Sequence, residues 1–318
     1  MIGGQGSAYQ QARSWQFALG YRWQKSDRHF RGIHEEPDRQ AEGSEVINRI
    51  HLFDLTGTYA ISERLNVTLS VPIVTSDRSQ GIRNPSREIV GRFSTQASGI
   101  GDISIVARRW MFDTKKYTDR NLSLGLGIKM PTGKDDITDT FTTFTGTEVR
   151  TVDQSIQNGD GGWGAILDLQ GFALITKDLT LFGSGVYLFN PRGTNGVPTF
   201  RSDPAEAIMS VADQYVARLG FAGPISRKIG LSWSAAGRVE GAPVTDVFGP
   251  SDGFRRPGYA FSIEPGVILS KGNSTVSFYV PVAVKRNRQQ SVADRLDGGI
   301  GDAAFADYLI LTGYSYRF

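Results

Sequence analysis

The chain has 318 residues, no Cys, 38 Gly, 11 Tyr and a formal charge of +3, with a mean hydropathy of −0.25. No stretch holds the eighteen consecutive apolar residues that a helical span requires, which excludes a helical membrane protein. The small net charge implies no nucleic-acid surface.

Alternation begins at Trp15: Trp15, Phe17, Leu19, Tyr21 and Trp23 share one parity, and Gln16, Ala18, Gly20, Arg22 and Gln24 the other. This is the period-2 pattern of a strand with one apolar face. After a polar stretch, Lys25 to Glu45, a second strand sets Phe53, Leu55 and Tyr59 against Asp54, Thr56 and Thr58. Only Ser62 to Arg64 separate it from a third, with Leu65, Val67, Leu69, Val71 and Ile73 on one face. The polar stretch Ser76 to Gly99 leads to a strand over Asp102 to Phe112, and the short Asp113 to Arg120 to another over Leu122 to Met130. The longest loop, Thr132 to Gly162, precedes the pair Ala165 to Ile175 and Leu179 to Asn190, joined by Thr176-Lys177-Asp178. Loop Pro191 to Ala212 comes next, then strands Gln214 to Ala222 and Ile229 to Glu240 around the turn Pro224 to Lys228. Beyond Ala242 to Pro257, a strand with Tyr259, Phe261, Ile263, Val267 and Leu269 turns at Lys271-Gly272-Asn273 into Val276, Phe278, Val280, Val282 and Val284. After Arg286 to Phe305, the last strand places Tyr308, Ile310, Tyr314, Tyr316 and Phe318 opposite Asp307, Ser315 and Arg317.

Twelve strands whose connections alternate between short and long describe a closed antiparallel transmembrane barrel, with short periplasmic turns and long extracellular loops. Closure lets the first and last strands pair and removes both edges. A soluble sandwich or propeller accounts for neither the alternating connections nor the aromatic strand ends. The chain therefore reads as one barrel domain over 1–318, with residues 1–13 as a periplasmic segment, in the outer membrane of a Gram-negative-type bacterium. The start, Met1 to Gly6, lacks a basic segment followed by an apolar one, so it reads as a mature chain without a signal peptide. Membrane lipid and lipopolysaccharide are the expected surroundings.

The last strand, with Tyr314, Tyr316 and a final Phe318, resembles the terminal strand of bacterial outer-membrane β-barrels. That resemblance implies an assembly signal recognised by the outer-membrane assembly machinery. Rim motifs add a second likeness. Gly99-Ile100-Gly101-Asp102-Ile103, the segment Leu122 to Gly133 and Val280-Pro281-Val282-Ala283 together look like the outer-membrane family linked to the meta-pathway of phenol degradation. That family is regarded as transporters without established catalytic residues, which implies passage of small molecules and fixes no substrate. A small solute, aromatic or anionic, and no cofactor are expected here.

With the apolar parity toward lipid, the inward set comprises Arg22, Asp54, Lys129, Asp168, Arg218, Arg238, Glu240, Glu264, Lys285 and Arg317, with either Arg108 or Arg109. These side chains either line an open or gated pore or pair across the bore and hold it shut. Pro72, Pro131, Pro191, Pro243 and Pro281 fall at the outer strand ends, where a missing N–H is tolerated. By analogy with general porins, the loop Thr132 to Gly162 is expected to bend inward, its Asp135, Asp136, Asp139, Arg150 and Asp153 forming a constriction opposite Lys129, Arg218 or Arg238. A structural barrel that anchors a larger envelope assembly is the rival reading.

Three further features have plainer readings beside sharper ones. His51 has lipid-facing parity near a strand's outer end, where a lipid hydrolase would keep its base, but no Ser is placed for activation and an interfacial, hydrogen-bonded His is expected. Asp294, Asp297, Asp302 and Asp307, or Asp135, Asp136 and Asp139, offer carboxylates to a hard cation. Neither group has EF-hand spacing, so solvated or turn-capping roles are expected and no metal. The two Arg of Gly253 to Gly258 stand at the outer rim, for anionic sugar or lipid headgroups or for simple solvation.

Overall fold

The computed structural model describes residues Tyr9 to Phe318. Twelve strands form the barrel among the described residues: β1 Trp15–Arg31, β2 Ile47–Ala60, β3 Leu65–Arg83, β4 in two segments Ile89–Ile100 and Ser104–Trp110, β5 Arg120–Lys129 and β6 Gly164–Thr176. The circuit continues through β7 Leu179–Phe189, β8 Gln214–Ser226, β9 Leu231–Ala242, β10 Gly258–Lys271, β11 in two segments Ser274–Tyr279 and Val282–Arg288, and β12 Ala303–Arg317. Each strand pairs antiparallel with its chain neighbours, and β1 closes on β12 in the register Gln16↔Arg317 to Gln24↔Leu309. Of the expected segment 1–13, residues 1–8 lie outside the described part.

Polarity is inverted relative to a soluble fold. Phe17 is 52% exposed, Leu126 63% and Leu219 63%, whereas Asp168 and Glu264 are fully buried. Apolar surface turned out in this quantity needs lipid around it, and the buried charges need a polar interior. Aromatic side chains gather at both ends of the outer face. Trp15, Phe17, Tyr59, Tyr316 and Phe318 stack near the short turns, with Trp15 to Tyr59 at 4.8 Å and Tyr316 to Phe318 at 4.8 Å between ring centres. Trp23 with Tyr308, and Tyr187 with Phe189 and Tyr215, mark the other end. Two such girdles bracket a bilayer.

Two stretches read as polar loops are in part strand. β1 runs to Arg31, and β3 and β4 continue past the rim as a ladder from Thr75↔Ser98 to Arg83↔Ile89. Above the bilayer both faces of a strand meet water, so apolar alternation disappears while the ladder persists. Accordingly Pro72 lies within β3, opposite Asp54, rather than at its end. Its carbonyl accepts from the Gly101 N–H at 2.8 Å, where β4 is interrupted. Pro281 likewise divides β11, and the Leu309 N–H bonds its carbonyl at 3.0 Å.

One interior contact depends on the absence of a side chain. Gly266 and Tyr279 are register partners on β10 and β11, and the Tyr279 ring lies over Gly266 where a Cβ would overlap it. Gly266→Val is expected to displace the ring at a cost of about 1–3 kcal/mol, read as a lower temperature for the folded-to-unfolded mobility shift on a denaturing gel. Phe318 donates its N–H to Trp15 O at 2.9 Å and stacks edge-on against Phe17. Deleting Phe318 should reduce the level of folded, membrane-inserted protein, measured in outer-membrane fractions, while the lumen stays unaltered.

Candidate functional site in the barrel lumen

Lipid on the outside forces ionisable wall residues inward, and inside they must find partners. Arg22 on β1 reaches across the bore to Glu240 on β9, four strands away around the circuit, with both guanidinium contacts at 3.1 Å. Arg238 bonds Glu240 at 2.7 Å and Glu264 at 3.3 Å. Arg218 meets Glu264 at 2.6 Å, its guanidinium between the rings of Phe182 and Tyr279 at 5.1 and 4.9 Å. On the opposite wall Arg108 grips Asp168 through two bonds of 3.0 and 2.9 Å. Of the Arg pair on β4, Arg108 is therefore the inward member.

This belt separates two cavities that share Asp54, Ser70, Val186, Val216 and Arg238. The upper, of about 770 Å³, is bounded by Arg22, Lys129, Glu240 and Tyr259 and roofed by Gln154, Asn158 and Asp160. The lower, of about 650 Å³, places Phe172, Phe182, Ile268, Tyr279 and Leu311 beside Arg108 and Arg218. Two of its lining residues, Trp110 and Phe172, pack edge-on against Tyr9 at 5.1 and 5.8 Å. The Tyr9 hydroxyl donates to Tyr117 O at 2.6 Å and accepts from Asn121, and Arg317 donates to Tyr9 O and to the Gln16 side chain.

The roof comes from the longest loop. A hairpin, Thr138–Thr143 with Gly146–Thr151, leads into a short 3₁₀ turn at Gln154–Ile156 that descends into the mouth. Asp153 is 1% exposed, bound by Arg256 through two bonds of 2.8 Å and approached by Arg78 at 3.5 Å. Burial alone would raise the Asp153 carboxyl, but these two guanidinium groups hold it well below the usual carboxylate range. Val152 and Ile156 pack on Ala97. Gln154 donates to Ser210 O at 2.5 Å, and Ser76 to Ile156 O at 3.0 Å. At the far end of the loop Asp160 joins Asp102 around the Lys129 ammonium.

The five residues expected at a constriction therefore separate. Asp153 is in the mouth, but its partners come from the loops and the β3 extension, not from Arg218 or Arg238. Asp139 accepts the Gln96 N–H at 2.7 Å, and the Asp135 carboxylate lies against Gly161. Asp136 and Arg150 are exposed, beside Lys134 and Glu148, because the hairpin carries them away from the bore. Lys129 does meet the loop, through Asp160.

Lys285 is on the outer face, paired with the exposed Phe261. A register shift between Phe261 and Ser262 moves the parity of upper β11, so Arg286 and Arg288 turn inward instead. Arg255 and Arg256 are not rim groups. Arg255 is 1% exposed, bonded to Asp246 and Ser210, and Arg256 clamps the loop. The acidic residues of the last loop are likewise engaged: Asp294 in a capping box and with Arg288, Asp302 with His29 and Arg39, Asp307 with Arg28 and Arg286. Asp297 caps the helix Val292–Leu296 from outside. His51 bonds the Tyr21 hydroxyl at 2.9 Å on the lipid face.

Sequence reasoning missed the inward apolar set, Trp110, Phe172, Phe182, Tyr279 and Leu311. The available signal was that apolar side chains stand on both parities at Leu181-Phe182 and Phe278-Tyr279.

No family model matches the chain. Among solved structures it is similar to the COG4313 outer membrane channel from Pseudomonas putida F1, with a TM-score of 0.61 and 10% identity over 97% of both chains. It is similar also to the beta domain of the Bordetella autotransporter Brka, with a TM-score of 0.50 and 12% identity over 96% of this chain and 100% of that one. At such identities the likeness is one of fold. The chain is a closed twelve-stranded antiparallel barrel of the outer-membrane type.

Proposed function

We propose that this chain is an outer-membrane channel that passes a small solute through its lumen, gated on the extracellular side by the loop Thr132 to Gly162. The observation that carries this reading is the pair of stacked cavities joined through the ion-pair belt, with a loop segment seated in the upper mouth. The lower cavity suits a solute with an apolar or aromatic body and an anionic group. Its apolar wall faces Arg108 and Arg218, and basic side chains along its lining outnumber acidic ones six to three. Chemistry on the solute has no part in this reading; the side chains conduct and select. Fold analogues reported as channels add weight at the level of architecture only.

A structural barrel is favoured by one feature, the Arg22–Glu240 pair that ties opposite walls together. Planar-bilayer recording separates the two. Arg256→Ala frees the Asp153 clamp and is expected to raise single-channel conductance about twofold or more. Arg218→Gln should lower the chloride-over-potassium permeability ratio, read from the reversal potential under a salt gradient. If the parent protein, the Arg256→Ala variant and a deletion of 154–160 all fail to conduct, the structural reading replaces this one.

The pH dependence of the gate follows from Asp153. Its folded-state pKa is depressed, so the clamp is fully stabilising above the ordinary Asp value of about 3.9 and is lost only as pH falls through the lower folded value. Conductance should therefore be flat from pH 7 to pH 5 and rise only in stronger acid. A rise between pH 7 and pH 5 would assign gating to a group other than Asp153.

A further inference from the structure

The five short turns carry a charge imbalance of which only Lys177, Asp178 and Arg227 border the lower cavity. Eight basic side chains lie in Ile61 to Arg64, Met111 to Arg120, Lys177 to Asp178, Arg227 to Gly230 and Lys271 to Asn273, against four acidic ones. The whole chain carries only +3, so everything outside these turns is net negative. The acidic four are occupied. Glu63 pairs with Lys115 at 3.2 Å, Asp119 with Arg120 at 3.8 Å, Asp178 with Arg227, and Asp113 accepts the Lys115 N–H within its own turn. Arg64 is spent on the Trp110 and Met111 carbonyls. Lys116, Lys177, Lys228 and Lys271 are left exposed and carry no ion pair among the described residues.

These four lysines occupy four different turns, spaced from β4 round to β11. Three of the turns set exposed apolar side chains beside the cation: Phe112 at 48% exposure, Ile175 at 54%, and Ile225 and Ile229 at 56% and 53%. A partner protein would meet one side of such a ring. The partner that touches all of it at once, with acyl chain beside the isoleucines and phosphate beside the lysines, is lipid. We propose that the short-turn rim is a collar that recruits anionic phospholipid headgroups from the periplasmic leaflet. This rests on the barrel's orientation in the membrane and not on what passes through its lumen.

The test uses the full chain in phosphatidylcholine vesicles containing brominated phosphatidylglycerol or brominated phosphatidylcholine. Quenching is read from Trp15 and Trp233, which stand on the outer face near these turns; the other three tryptophans are replaced by Phe. The parent is expected to favour phosphatidylglycerol about threefold at low salt, with the preference fading as salt screens the lysines. Combined Lys116→Gln, Lys177→Gln, Lys228→Gln and Lys271→Gln substitution should bring the ratio to one, with folding verified by the gel mobility shift. A control replacing Lys25 and Arg49, outward cations at the opposite end, should keep the preference. No preference in the parent, an unchanged ratio in the four-lysine variant, or its loss in the control would each overturn the proposal. None of these outcomes bears on conductance.

Discussion

A charge facing lipid at mid-bilayer costs about 2–4 kcal/mol, and the lumen is organised by that constraint. Arg22, Arg108, Arg218 and Arg238 have no direction but inward, and inside a closed ring they meet one another's counter-charges at hydrogen-bond range. Their pairing with Glu240, Asp168 and Glu264 places two carboxylates at zero exposure without leaving either alone. A buried pair of this kind adds little net stability, yet removal of one member strands the other. The belt therefore fixes the shape of the bore more than it strengthens the wall.

The roof obeys the same rule with a different source of charge. Asp153 and Asp160 bracket the descending segment, and each is held by a cation from elsewhere, Arg256 and Lys129. Between them the contacts are weaker and mostly go to backbone carbonyls, as with Gln154 on Ser210 and Ser76 on Ile156. A segment fixed by two charged points with a softer middle can leave the mouth when one point is released, without disturbing the wall ladder.

The barrel was legible because period-2 alternation is a local property. Twelve runs of it, with connections that alternate in length, leave few other architectures. The strand extensions above the rim were not legible, since β3 and β4 beyond Thr75 keep their ladder after both faces turn polar. Lys285 was misplaced because one bulge inverts the parity of the rest of its strand, and no residue type near Val284 announces it. The partner of Asp153 was beyond sequence reasoning for a different reason. Arg256 is about a hundred positions away, and only closure of the ring brings their loops over the same mouth. Phe182 and Tyr279 were hidden because an aromatic ring reads as a lipid-facing group unless its register partner is known.

The pairing Gln16↔Arg317 joins the first and last strands, so ring closure is among the most non-local contacts of the described residues. Loop entropy must be overcome before such a contact contributes, which puts it late in any folding sequence. Until then β1 and β9 belong to an open curved sheet, and Arg22 and Glu240 stay apart and hydrated. Their dehydration accompanies the seam. The last step of assembly thus turns an open trough into a sealed bore, and the Arg22–Glu240 pair across the seam forms in that same step.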